Sequence, residues 1–449
     1  MVIVVFLILI ILLVIVIFLI LVIFLILVVL LVIIVEIHNS HLLRTQCKYS
    51  LLPFRKTIHD IKIRRETTML LIQNGLLYTM EENHPIQADL LIKDGKIQKI
   101  QKNITPGGGM KIYNADGMRV FPGFIDAHSH IGISEEKTTV QTDTSNEGTT
   151  PVTPYLRAID TINPMDSAFH NAVASGITGV MAGPGSANPV GGQFAFIKTD
   201  GRRIDDMIVL APSAIKIAFG ENPMNNYGIN GNTPSTRMSV ASVIREELFR
   251  AREYFANNKK DEGEKTFNLE CYRNLFDKKI PLKAHVHRAD DIFTAIRIAK
   301  EFELDLTLDH CTEGHLIAGE IAESGFPAIV GPNLASRSKK EVSQSDFKTA
   351  GILKKAGVTV ALTTDHPVSR IQHLPICAAL AAKEGLGEEN AIRAITIDAA
   401  RICRVDQKLG SLKEGKDADI VILDGSPLEI NTSVCMTIIN GEIVWKKED

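Results

Sequence analysis

Apolar and polar positions change their period along this chain, and each change predicts a different kind of element. Residues 2–35 have no period at all, being made only of Val, Ile, Leu and Phe. From Met69 onward apolar and polar residues alternate in short runs, over 70–77, 88–93 and 96–101, with Asp94-Gly95 between the last two. A strand shows alternate side chains to opposite faces, and Asp-Gly between two such runs signals a hairpin. The far end repeats this style over 418–423, 437–439 and 442–445, with Asn440-Gly441 as the turn.

The middle of the chain reads differently. Apolar runs at 123–127, 179–182, 214–218, 281–286, 304–309, 328–331 and 359–363 look like buried strands, and helical spacing is seen between them over 165–175, 240–257, 289–301, 317–324 and 348–356. Strands alternating with helices predict βα units on a parallel sheet, and roughly eight such units in about 280 residues fit a closed barrel. The expectation is an α/β fold: a (β/α)8 TIM-type barrel over 122–411. A small β-sandwich built from both flanks, 69–121 and 412–449, would accompany it, preceded by a basic linker over 37–68 and the apolar segment 1–36.

Composition narrows the class. The 45% hydrophobic content and mean hydropathy of +0.10 owe their height to the apolar tract, and the remainder is ordinary for a soluble protein. No later run approaches the roughly 18 unbroken apolar residues of a membrane span, which excludes a polytopic membrane protein. With 49 Lys+Arg against 52 Asp+Glu there is no electrostatic case for a nucleic-acid partner. Six scattered cysteines, without metal or redox spacing, read as free thiols of a reducing compartment.

Three readings fit the tract. A secretory signal is the weakest, because a basic start and a small-residue cleavage site are missing. A membrane anchor is the second, although a helix of this length would run about 51 Å against a hydrocarbon layer of about 30 Å. Low-complexity sequence upstream of an initiator at Met69 is the third. If the tract anchors the chain, residues 2–35 provide the membrane association. The basic residues that follow, from Arg44 to Arg65, then place the catalytic body on the cytoplasmic side; otherwise the protein is cytoplasmic.

Chemistry gathers at the strand ends. Gly123-Phe-Ile-Asp-Ala-His-Ser-His130 puts Asp126, His128 and His130 on alternate positions, so on one strand face. Ile215-Lys216-Ile217 sets a lysine in an apolar run, where a bare ammonium is costly to bury. Lys283-Ala-His285-Val-His287 is a second His-x-His, Leu306-Thr-Leu-Asp-His310 ends in an imidazole, and Val360-Ala-Leu-Thr-Thr-Asp365 ends in a carboxylate. Each alone is bland, but the C-terminal ends of barrel strands converge on one place. The loop motif Gly183-Pro-Gly-Ser-Ala-Asn-Pro-Val-Gly-Gly-Gln193 is rich in turn formers and suits close backbone approach to a ligand or a plain structural turn.

Taken together, Pro122-Gly-Phe-Ile-Asp-Ala-His-Ser-His130, Lys216, His285, His310, Asp365 and Gly410-Ser-Leu-Lys-Glu-Gly-Lys-Asp-Ala-Asp-Ile-Val421 resemble the amidohydrolase superfamily. The closest resemblance is to its branch with two metals and a carboxylated lysine. The resemblance implies two divalent metal ions, zinc by expectation, with His128 and His130 on the more buried ion and His285 and His310 on the other. Lys216, carrying a CO2-derived carbamate, would bridge them, and Asp365 would bind the first ion and act as general base and then acid. His285 and His287 share a face and either could be the ligand; depth in the apolar run and the resemblance favour His285. His287, His315, Gln193 and Arg337 are candidates for substrate contact or support of the ligands. The expected activity is hydrolysis of a non-peptide C–N bond in a small-molecule amide or cyclic amide. Alternatives are a mononuclear deaminase or imidazolone-type hydrolase, a small-dipeptide hydrolase, or a non-enzymatic scaffold, and a homo-oligomer is a family-level expectation.

Overall fold

The computed structural model describes residues 69–136, 143–229, 231–257 and 266–448, all within 66–449, the second of two compact units. The apolar tract and the basic linker lie outside the described residues. Among the described residues no helix is long and apolar enough to cross a membrane.

Both flanks contribute to one sheet, as their shared style suggests. The first flank gives β1 (Met69–Leu77), β2 (Ile86–Lys93), β3 (Lys96–Gln101), β4 (Lys111–Asn114) and β5 (Arg119–Pro122). The barrel strands follow as β6 (Phe124–Ser129), β7 (Ile177–Ala182), β8 (Val190–Lys198), β9 (Ile208–Ala218), β10 (Leu282–Val286), β11 (Leu306–His310), β12 (Ala328–Val330) and β13 (Val360–Leu362). The last flank gives β14 (Ile420–Leu423), β15 (Val434–Ile439) and β16 (Glu442–Lys446). The flanking sheet runs β16-β15-β14-β5-β1-β2-β3, with β4 also on β1. β14 pairs antiparallel with β5, so the two ends of the described chain meet at the centre. Leu70, Ile72, Leu90, Val120, Ile420 and Met436 form a core of their own there. Both hairpin turns have two positive φ values, at Asp94 and Gly95 and at Asn440 and Gly441, the backbone that Asp-Gly and Asn-Gly adopt most easily.

The second sheet orders β6 to β13 in sequence. Its ends approach through the His130 amide, which donates to the His366 carbonyl at 2.9 Å, and the Thr363 hydroxyl, which donates to the His128 carbonyl. Helices form where the period predicted them: Ser167–Ala174, Arg237–Asn257, Ala289–Glu301, Ala318–Ser324 and Lys348–Lys355. The eight-unit expectation needs one correction. β8, read from sequence as part of a turn-rich loop, is a strand antiparallel to both neighbours. It is reached from β7 through the loop 183–189 and left through the one-turn helix Ile204–Met207, so a meander replaces two βα units.

Candidate metal centre

The histidines are oriented from behind. His130 Nδ1 lies 2.7 Å from the Gly183 carbonyl, just past β7, and His310 Nδ1 lies 2.7 Å from the Gly331 carbonyl, just past β12. A carbonyl only accepts, so both Nδ1 atoms carry the proton and both Nε2 atoms offer lone pairs. His128 Nδ1 is 2.9 Å from Oδ2 of Asp309, and His287 Nδ1 is 2.8 Å from the Thr312 hydroxyl. Asp126, on the same face of β6, takes no part in this set. Its Oδ2 accepts from the Thr364 amide at 3.0 Å and from the Thr364 hydroxyl at 2.6 Å, clamping β6 to the end of β13. Burial raises its carboxyl to about 6.

The inward atoms converge on Asp365. Its Oδ1 is 3.4 Å from His128 Nε2 and 3.2 Å from His130 Nε2. Lys216 Nζ is 3.5 Å from His128 Nε2, and the ring centroids of His285 and His310 are 4.5 Å apart. His128, His130, Lys216, His285, His310 and Asp365 are therefore brought together, although they come from five strands. His310 and Asp365 both have positive φ, +69° and +53°, a backbone region that costs non-glycine residues energy and is concentrated at functional sites.

The charge states suit cation binding. Burial pushes the imidazoles of His128, His285 and His287 well below the usual histidine range, and it lowers His310 as well. Neutral imidazoles are the form that ligates metal. Lys216 is fully buried, and desolvation brings its ammonium down to about 8, with Asp309 opposing and Lys283 reinforcing the shift. Burial raises the Asp365 carboxyl, but His310, His130 and Lys216 outweigh it and the net direction is down. Asp365 Oδ1 is nevertheless buried without a hydrogen-bond partner. An orphaned carboxylate oxygen facing two imidazole lone pairs fits a divalent cation, and few other partners would satisfy all three.

A cavity of about 310 Å³ opens over these groups, with Ser134, Asn146, Ser186, Asn222, His287 and Lys339 in its wall. His287 thus faces the space a substrate would enter. The remaining three candidates lie elsewhere. Gln193 sits opposite Ile215 on β8, facing away from Lys216, and donates to the Pro154 carbonyl. Arg337 is exposed and donates to the Ser345 carbonyl. His315 is bound to the Thr312 carbonyl at 3.2 Å and is not part of the cavity wall. In their place the structure brings in Asp309, Lys283, Asn222, Lys339 and Glu341. Sequence reasoning assigned a role to none of them, although Lys283 and Asp309 stand inside the runs that end in His287 and His310.

An α/β barrel with convergent histidines, a buried lysine and an aspartate at its strand ends is an arrangement that could hold divalent metal ions. The profile of the Amidohydrolase family matches residues 119–444, and the chain belongs to that family. It is 27% identical over 389 residues to amidohydrolase tasK of Hapsidospora irregularis, a match that covers 79% of this chain and only 39% of that protein. It is 26% identical over 376 residues to a dihydroorotase of Elusimicrobium minutum, covering 75% of this chain and 83% of that one. A crystal structure of an amidohydrolase from Thermotoga maritima superposes with a TM-score of 0.81 at 39% identity, over 84% of this chain and 100% of the other.

Proposed function

We propose that this protein hydrolyses a carbon–nitrogen bond other than a peptide bond, in a small polar amide, cyclic amide or ureide, with Asp365 moving the proton. The observation that carries the reading is the unpartnered buried Oδ1 of Asp365 between His128 Nε2 and His130 Nε2. His128, His130 and Asp365 would hold one divalent ion, and His285 and His310 a second. Lys216, carrying CO2 as a carbamate, would serve both, turning a buried cation that is costly to desolvate into an anionic ligand. Such ions, zinc by our proposal, polarise a carbonyl and lower the pKa of water toward neutrality.

The chain's own groups do the rest. Asp365, held ionised by its neighbours, accepts the proton as the water oxygen bonds to the carbonyl carbon. It returns that proton to the nitrogen as the C–N bond breaks, leaving a carboxylic acid and an amine. Hydroxyl and amide side chains in the cavity wall favour a hydrophilic substrate. That the dihydroorotase match covers most of both chains supports the cyclic-amide class. The test is a metal count on protein purified without chelator, followed by a hydrolysis panel of hydantoins, lactams, N-acyl amino acids and dipeptides. About two ions per chain and turnover of a hydantoin, lactam or N-acyl amino acid are expected; protein that takes up no metal and hydrolyses nothing, or that hydrolyses only the dipeptides, overturns the reading.

A further inference from the structure

One buried donor cluster reaches beyond the ligand set already described. It combines His285 of β10 and His287, one residue past that strand's end, with Glu341, which sits on the one-turn helix Lys340–Val342. One ligand-type atom from each lies within 4.8 Å of the others, and the three residues are 5, 5 and 1% exposed. His287 Nε2 is 3.8 Å from Oε1 of Glu341, too long for a hydrogen bond. Tetrahedral zinc, with bonds of about 2.0–2.2 Å to nitrogen and oxygen, sets its ligands roughly 3.3–3.5 Å apart. The His287–Glu341 spacing is therefore too long for a direct bond and near that of two ligands on a shared cation, with His285 within 4.8 Å of both.

Both side chains are aimed from outside the cluster. The Thr312 hydroxyl fixes His287 through Nδ1. Oε2 of Glu341 accepts from the Glu221 amide at 2.8 Å, and the Glu341 amide donates to Glu221 Oε1 at 3.2 Å, which leaves Oε1 toward the histidines. Arg237 Nη2 stands 4.0 Å from Oε2. Oε1 itself is 2.6 Å from Lys339 Nζ, whose side chain is 25% exposed and also donates to Asn222 at 2.8 Å. A buried carboxylate needs a positive partner. Lys339 supplies it here on a long stem that reaches solvent, so a dication can displace it at modest cost.

We propose that His285, His287 and Glu341 form an outer position for the second divalent ion that needs no carbamate on Lys216. His285 is common to this set and to the inner set with His310 and Lys216, so the two positions exclude each other. One ion then occupies the inner place when Lys216 carries CO2 and the outer place when it does not. The inference rests on the two-ion reading above.

The test counts ions by atomic emission and follows the visible spectrum of cobalt-loaded protein. Wild type and Lys216→Ala should each hold about two ions, with a changed cobalt spectrum in the variant, and Lys216→Ala/His287→Asn should hold about one. In the Lys216→Ala background Lys339→Met should tighten the second ion, because it removes the competing ammonium. Glu341→Gln risks unfolding the loop around it, so His287→Asn carries the comparison. A wild type with about two ions and a Lys216→Ala variant with about one overturns this inference and leaves the proposed function standing. A wild type with fewer than two overturns this inference and the two-ion assignment, while the hydrolysis panel decides the proposed activity separately. Weaker binding in the Lys339→Met variant also overturns the inference.

Discussion

His128 Nδ1 stands 2.9 Å from Oδ2 of Asp309, and neither side chain is exposed. The other carboxylate oxygen is 3.2 Å from Lys283 Nζ, which also donates to the Ala127 carbonyl at 3.0 Å. The carboxylate fixes the tautomer of His128 and would raise its basicity in the proposed ligand role, while Lys283 balances the buried charge. Asp309→Asn should weaken binding of the first metal by about 10–100-fold, in the range typical of such supporting groups. It should also cost about 3–5 kcal/mol of stability by leaving Lys283 uncompensated. Adding Lys283→Met should restore most of the stability and none of the affinity. Chelator competition and urea denaturation read the two effects separately.

Asp365→Asn tests the proton carrier. The substitution keeps the shape of the side chain and removes its ability to take a proton. On a substrate from the hydrolysis panel, kcat should fall by about 10²–10⁴-fold, the usual contribution of a positioned acid–base group. Asp365 lines the cavity and is proposed to hold the first ion, so ions are counted on the same sample, and a lowered kcat with the ion count unchanged assigns the loss to the proton.

Lys216 gives the pH dependence. Only a neutral amine has the lone pair that bonds to CO2, and burial has brought this one to about 8. The neutral share is therefore lost as pH falls: about half the chains have it at pH 8 and roughly a tenth at pH 7. Metal-free protein stripped of CO2 should take up 13C-labelled bicarbonate increasingly as pH rises through about 8, with a carbamate signal in the carbon NMR spectrum. An ordinary exposed lysine would respond only above pH 10. A flat response between about pH 7 and 9 would contradict the assignment.

The strand period and the convergence of barrel strands made the six-residue set legible from sequence, along with all strands of the barrel except β8. That strand was hidden by its glycines, which read as turn. The structure supplies a reason for them: a Cβ on Gly191 would lie 3.2 Å from Lys216 Cβ, and one on Gly192 would lie 2.4 Å from the Leu156 carbonyl oxygen. Glycine here serves close approach, which sequence spacing does not distinguish from a bend. Asp309 was missed for a different reason. Strict alternation puts it on the face opposite His310, yet the positive φ of His310 breaks the alternation and both side chains enter the barrel. Glu341 and Lys339 meet their partners across about 120 residues of chain, and no local pattern announces a contact between two loops.

The motif ending in Asp417-Ala-Asp419, part of the sequence resemblance, acquires a physical role at the junction of the two sheets. Lys198, at the end of β8 and 5% exposed, donates to Asp417 Oδ2 at 2.8 Å, to Asp419 Oδ1 at 2.9 Å and to Asn440 Oδ1 at 2.5 Å. Asp417 also has Lys96, at 2.5 Å, while burial raises the Asp419 carboxyl against the pull of Lys198. Among the described residues, Lys198 is the ion-pair partner of Asp419. Lys198→Met should leave that carboxylate buried without a counter-ion and cost about 3–5 kcal/mol, read as a lower urea midpoint at neutral pH. The sign of the pH dependence follows from the raised pKa of Asp419. Uncompensated, Asp419 goes higher still, and the deficit of the variant should shrink as pH falls toward its new value, because a protonated carboxyl no longer needs the lysine. A deficit that stays constant from pH 8 down to about 5 would show that Lys198 acts through packing and not through charge.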